Sequence, residues 1–270
     1  MSIIIGFIIG SVLGLTGAGG SIFAVPLLIL LLNLAPSEAM GIGLGAVMAS
    51  AMLGTIGQRQ QVLWIPALLL ALGGALFAPL GKYVSTLLND TTLLVCFSVL
   101  AVVIALRMFQ QAIQHPSLTA FTRATSLKAA DSASLACRLS QTGQFSLHAR
   151  CVSGLVLGGA LVGFASGLFG VGGGFLIVPL ILFLSSVPMS QAIATSLAVI
   201  TVISASGFAT HLAFTGFPDY AVILQVLVGA VSGMFISQRF SNRLAGQSLQ
   251  IIFSTLLMLV VLTLLVTHFL

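Results

Sequence analysis

The chain has 270 residues, of which 59% are hydrophobic and 5% charged, against roughly 25% charge in a soluble domain. This excludes a soluble globular enzyme and makes the chain an integral membrane protein. Its apolar runs have helix length and lack the alternation of barrel strands, so the fold class is all-α. The net charge of +5 implies no nucleic-acid partner, because most of the cations fall in one loop, the pattern of a loop held in the cytoplasm.

Met1 leads almost directly into a hydrophobic segment with no basic region before it, so no removable signal peptide is expected. That first segment, Ser2 to Leu34, would run about 50 Å as one straight helix against a hydrocarbon core of about 30 Å. It is interrupted by "GLTGAGGSIFAVP", Gly14 to Pro26. The glycines divide it into two pieces, each marginal as a full crossing. Either it is one broken, tilted crossing or it dips in and returns as a re-entrant hairpin.

Three ordinary spans follow: Ala39–Ile56, Val62–Gly81 and Thr91–Met108. Residues 109–151 are the only long polar stretch, rich in Ser, Thr, Ala and Gln, with Arg123, Lys128, Arg138 and Arg150 against Asp131. They read as a basic cytoplasmic linker. Cys96 lies in a span, Cys137 and Cys151 in or beside the linker. These positions give neither a disulfide framework nor metal-ligand spacing.

After the linker the pattern repeats. A shift of 153 residues lays Gly6, Gly10 and Gly14 on Gly159, Gly163 and Gly167, and Gly17, Gly19 and Gly20 on Gly170, Gly172 and Gly173. Val25-Pro26-Leu27 falls on Val178-Pro179-Leu180. Apolar bias would match leucines but not this series of glycines with a proline. The expected domains are a first membrane repeat, 1–108, and a second, 152–270. The second half has spans Gln191–Thr210, Tyr220–Gln238 and Leu249–Phe269, and its own broken segment around "GLFGVGGGFLIVP", Gly167 to Pro179.

The cations choose between the two geometries. A single crossing in each half makes the halves parallel and leaves Lys82, Arg239 and Arg243 outside. A hairpin in each half inverts them and leaves only Lys82 outside. Inversion is the favoured layout, and it is a recurring plan for transporters.

Membrane backbone must satisfy its own hydrogen bonds, so a helix breaks only inside protein or beside water. Glycine at every fourth position, as in Gly6, Gly10 and Gly14, reads as close helix packing. Gly17, Gly19 and Gly20, and Gly170, Gly172, Gly173 and Gly174, are too dense for a packing stripe. After each break a new helix begins at Ile22 or Phe175, or at Pro26 and Pro179 if the preceding stretch is extended. A helix start presents unpaired N–H groups and the positive end of a dipole, which suits an anion. One terminus contributes only about 0.3–2 kcal/mol, far less than stripping a small anion of water costs. Hydroxyls must therefore help, and the candidates are Ser21, Thr195 and Ser196. The counterparts of Thr195 and Ser196 are Ile42 and Gly43, so the halves are chemically unequal.

No Asp, Glu, Lys or Arg lies deep in an assigned span. His211 is the nearest titratable candidate, toward the end of a span, where a histidine is more often structural. There is no G-x-S-x-G, H-E-x-x-H or P-loop, so no enzyme, cofactor or metal site is expected.

The glycine-rich turns followed by "FAVP" and "LIVP", then "EAMGIGL" and "QAIATSL", resemble the sulfite exporter TauE/SafE family of bacterial membrane permeases. The resemblance covers both hydrophobic halves. The first copy carries Ala18 and Ser21 where the family tends toward glycine. The resemblance implies transport of small sulfur-containing anions such as sulfite or sulfonates, commonly outward across the inner membrane. The expectation is thus a secondary transporter in the lipid bilayer with a small anionic substrate, and glycine-lined faces that could serve a homodimer. The rivals are a passive anion channel and a non-transporting scaffold recruiting partners through the basic linker.

Overall fold

The first glycine-rich stretch does break the helix. In the computed structural model α1 (Ser2–Thr16) stops at Gly17, whose φ of 70° is left-handed, and α2 (Ser21–Leu32) starts afresh. The structure describes residues 1–17, 20–32, 34–114, 138–139, 145–146, 149–184, 187, 189–215, 220–244 and 255–263. Then come α3 (Pro36–Gly57), α4 (Trp64–Leu87) and α5 (Asp90–Gln114). A two-residue antiparallel pair, β1 (Arg138–Leu139) and β2 (Phe145–Ser146), lies in the linker. The later helices are α6 (Ala149–Phe169), α7 (Gly174–Leu184), α8 (Met189–Thr215), α9 (Tyr220–Leu244) and a helical stretch at 255–263.

Five of these helices are long and apolar enough to cross a membrane, while α1, α2 and the apolar part of α5 are shorter. Their outward faces are greasy: Leu76 on α4 is 70% exposed, Leu161 on α6 72% and Phe235 on α9 67%. Such surface on helices long enough to span suits a lipid bilayer.

The direction of each helix follows from its contacts. Leu180 of α7 lies on Gly158 of α6, and Leu184 lies further back on Gly154, so α7 returns antiparallel along α6. In the first half Gly20 packs directly on the backbone of Val12 and Leu13, so α2 turns back against the end of α1. The second broken segment is therefore a hairpin, and the first reverses at its glycine turn. The central pair is α3 and α8. Gly41 meets His211, Gly45 meets Phe208 and Gly54 meets Leu197, so these helices cross antiparallel.

The four-residue glycine stripes pack as expected. Gly6 and Gly10 lie against the carbonyls of Val226 and Ala230 on α9, and Gly159 and Gly163 against those of Leu70 and Gly74 on α4. At each, an added Cβ would overlap the partner's backbone. These faces, expected to be available to a homodimer, are used within the chain.

Three further expectations need correction. Helices α2 and α7 begin at Ser21 and Gly174, so Pro26 and Pro179 are interior and do not start a helix. Each lacks the N–H that would reach four residues back, which frees the carbonyls of Ile22 and Phe175. Helix α4 runs past Gly81 to Leu87, which places Lys82 within it, 4% exposed. A charge taken as a span boundary is thus a buried group. Cys151 is disulfide-bonded, whereas Cys96 is a free, exposed thiol. The last expected span, Leu249–Phe269, lies largely outside the described residues.

Candidate functional site: two glycine turns against the α3–α8 pair

The second turn is built by three left-handed glycines, Gly170 (φ 68°), Gly172 (φ 73°) and Gly173 (φ 67°). A side chain at these dihedrals would be strained, which is why the run is so dense. Gly170 closes α6 by donating its N–H to the Ser166 carbonyl at 2.8 Å, and Leu176 donates to the Gly173 carbonyl at 3.1 Å as α7 begins. The turn is packed from three sides. Gly170 lies on Met40 of α3, a Cβ at Gly172 would stand 2.7 Å from Ser204 Oγ, and one at Gly173 would stand 2.6 Å from a Val162 methyl and 3.4 Å from Ser166 Cβ.

Two hydroxyls border this turn. Ser166 is 1% exposed and Ser204 0%, and neither Oγ has a hydrogen-bond partner. A serine in an apolar helix ordinarily bonds back to its own carbonyls; Ser50 and Ser98 do so, at 2.6 and 2.7 Å. A buried hydroxyl without a partner costs about 1–3 kcal/mol. Two of them stand beside the start of α7 and its first N–H groups, a set of buried donors without a cation in the turn itself. That arrangement suits the oxygens of an anion.

The first turn is chemically different. Gly17 donates to the Leu13 carbonyl at 2.7 Å. Thr16 Oγ1 donates to the Val12 carbonyl at 2.7 Å and accepts the Gly20 N–H at 3.1 Å. An amide that could face a ligand is therefore capped from within. The positions matching Ser166 and Ser204 under the 153-residue shift are Leu13 and Ala51, which carry no hydroxyl. Ser21 is fully buried at the start of α2. Gly19 lies outside the described residues.

The remaining expected residues divide. Ser196 is buried and reaches the first turn, its hydroxyl lying 3.4 Å from the Gly17 carbonyl while bonding back to Ile193 at 2.7 Å. Thr195 faces elsewhere: its Oγ1 accepts the Leu63 N–H at 3.0 Å and ties α8 to the approach to α4. Gly174 opens α7. The two turns are brought to one helix pair. A Cβ at Gly43 on α3 would lie 3.5 Å from Ala24 of α2 and 3.6 Å from the Gly170 carbonyl. Ser166 and Ser204 were missed in the sequence. The signal was present in the shift itself, as hydroxyls standing over apolar counterparts.

Helices with apolar outward faces around buried polar turns define a multi-pass α-helical membrane protein. The chain belongs to the sulfite exporter TauE/SafE family, whose family model matches residues 2–264. It is similar to a "Probable membrane transporter protein" of Xylella fastidiosa (strain 9a5c), 30% identical over 252 residues, covering 87% of this chain and 84% of the relative. It is also similar to "Probable membrane transporter protein YunE" of Bacillus subtilis (strain 168), 25% identical over 267 residues, covering 96% and 94%. No solved structure matches it significantly.

Proposed function

We propose that the chain is a secondary transporter that carries small sulfur-containing oxyanions, such as sulfite or sulfonates, outward across the bacterial inner membrane, and is not an enzyme. The observation that carries the reading is the pair of unpartnered hydroxyls, Ser166 and Ser204, beside the left-handed turn at 170–173. Main-chain N–H groups of Gly172, Gly173 and Gly174 and the two serines hold the anion. The first turn, Gly17 to Ser21, with Ser196 against it, is the structural counterpart and contributes little affinity.

The halves act as inverted repeats. In support, α1 packs parallel on α9 as α6 packs parallel on α4, and the corresponding helices α3 and α8 cross antiparallel. Exchange of the halves thus carries each packing into its counterpart. Rocking of one half against the other about the α3–α8 contact exposes the anion alternately. The fit of Gly170 on Met40 closes the path at that level, as a carrier requires in one of its states. The linker, 109–151, lies in the cytoplasm, on the strength of its cations.

Counterflow in vesicles holding the purified chain tests this. Sulfite, thiosulfate and sulfoacetate should compete with one another, and a simple carboxylate should not. Voltage-tracking current without saturation would instead identify a channel. Transport unaffected by Gly173→Leu in a folded protein would remove the site from the turn.

A further inference from the structure

His211 is 1% exposed, and neither ring nitrogen has a hydrogen-bond partner. A neutral imidazole carries one donor and one acceptor, and a structural core histidine satisfies at least one of them. The ring lies on Gly41 of α3 so closely that a Cβ there would fall on Nε2. Met40, the neighbour of Gly41, is the residue that packs on Gly170 of the second turn. Ser204 and His211 are seven residues apart on α8, two turns along one face and about 10 Å apart. Two buried polar side chains without hydrogen-bond partners, Ser204 beside the second turn and His211, therefore stand on one face of α8.

Among the described residues, few charges lie on the helices packed against the ring. Lys82 on α4 is buried and close enough for its charge to act on His211. Helix α4 adds Tyr83, which is exposed, α3 carries Glu38, also exposed, and α8 has no other ionisable group. An imidazolium at 211 would add a second positive charge beside Lys82, and an oxyanion at the second turn would offset it. Binding of the anion and protonation of the ring then favour each other.

We propose that His211 is the proton-coupling residue of the transporter, so that one proton and one oxyanion cross together. A ring nitrogen takes a proton from water on the side where the anion enters. It returns that proton to water on the side where the anion leaves, and no covalent bond to the anion forms. This rests on the oxyanion reading above, and outward movement is then driven electrically: a dianion leaving with one proton carries one net negative charge out of the inside-negative cell, worth about 2.3 kcal/mol per 100 mV.

The test uses the full chain in vesicles with sulfoacetate, whose charge is constant through neutral pH, and a trapped pH dye. With the membrane potential clamped at zero, a gradient of one pH unit should drive about tenfold accumulation of the anion per coupled proton. His211→Gln should keep sulfoacetate counterflow, which needs no net proton movement, and lose the response to the gradient. A variant that still accumulates anion on the gradient overturns the proposal and leaves the oxyanion reading standing. A wild type without counterflow overturns both. A second measurement needs no variant: sulfoacetate added to wild-type protein in detergent, without buffer, should take up about one proton per site. Binding without proton uptake overturns the proposal.

Discussion

Ser204 on α8 stands against Gly172 of the second turn, so close that a Cβ at 172 would lie 2.7 Å from the serine oxygen. The hydroxyl is fully buried and has no partner. Its replacement by alanine is expected to separate binding from stability. Hydrogen bonds to charged groups contribute about 1.5–3 kcal/mol, so Ser204→Ala should weaken oxyanion binding by about ten- to a hundredfold. Because the change removes an unsatisfied buried group, the melting temperature in detergent should hold or rise. A fall in melting temperature with unchanged affinity would make Ser204 a structural residue.

The first turn should respond in the opposite way. Thr16→Val keeps the shape but removes the oxygen that accepts the Gly20 N–H. A lost cap costs about 0.5–2 kcal/mol, so the melting temperature should fall while oxyanion affinity stays as in the wild type. Affinity lost in step with Ser204→Ala would show that the two turns share the ligand.

Gly163 and Gly207 form a packing contrast. A Cβ at Gly163 would run into the Gly74 carbonyl, whereas one at Gly207 would meet Leu44 methyls at 3.4 and 3.5 Å, an ordinary contact. Gly163→Val should force α4 from α6 and destabilise by at least the roughly 1–3 kcal/mol of an overpacked core. Gly207→Ala should be tolerated. Equal melting temperatures for both variants would contradict the α4–α6 contact.

The layout can be read by cross-linking. Thr55 and Thr201 place their Oγ atoms 3.5 Å apart across the antiparallel α3–α8 contact. Cysteines at both positions should join on mild oxidation, stop flux, and release it on reduction. Joining without loss of flux would mean that α3 and α8 do not move against each other. A reporter fused after Leu270 should face the periplasm if the halves are inverted with a cytoplasmic linker. The disulfide at Cys151 pulls the other way, because the cytoplasm keeps thiols reduced. A cytoplasmic signal from that reporter would decide for redox over charge.

The glycines made much of this fold legible. Their four-residue spacing marked the close helix pairs, and their crowding marked the turns, because left-handed backbone leaves a compositional trace. Helix starts at Ser21 and Gly174 lie one residue before the expected Ile22 and Phe175. Lys82 misled because a charge was taken as a span end, whereas tertiary packing buries it. Thr195 misled because its partner, the Leu63 amide, is distant in sequence and reached only through the approach to α4. Ser166 and Ser204 were hidden for the same reason. A hydroxyl in an apolar helix looks alike in sequence whether it bonds to its own carbonyl or stands without a partner.

Titration of sulfite into the purified chain, followed by heat, tests the central claim most directly: that main-chain amides at 172–174, with Ser166 and Ser204, hold an oxyanion. The wild type and Thr16→Val should bind alike and saturably. The double variant Ser166→Ala/Ser204→Ala should bind at least about a hundredfold more weakly at an unchanged melting temperature. A double variant that binds sulfite as tightly as the wild type would contradict the account.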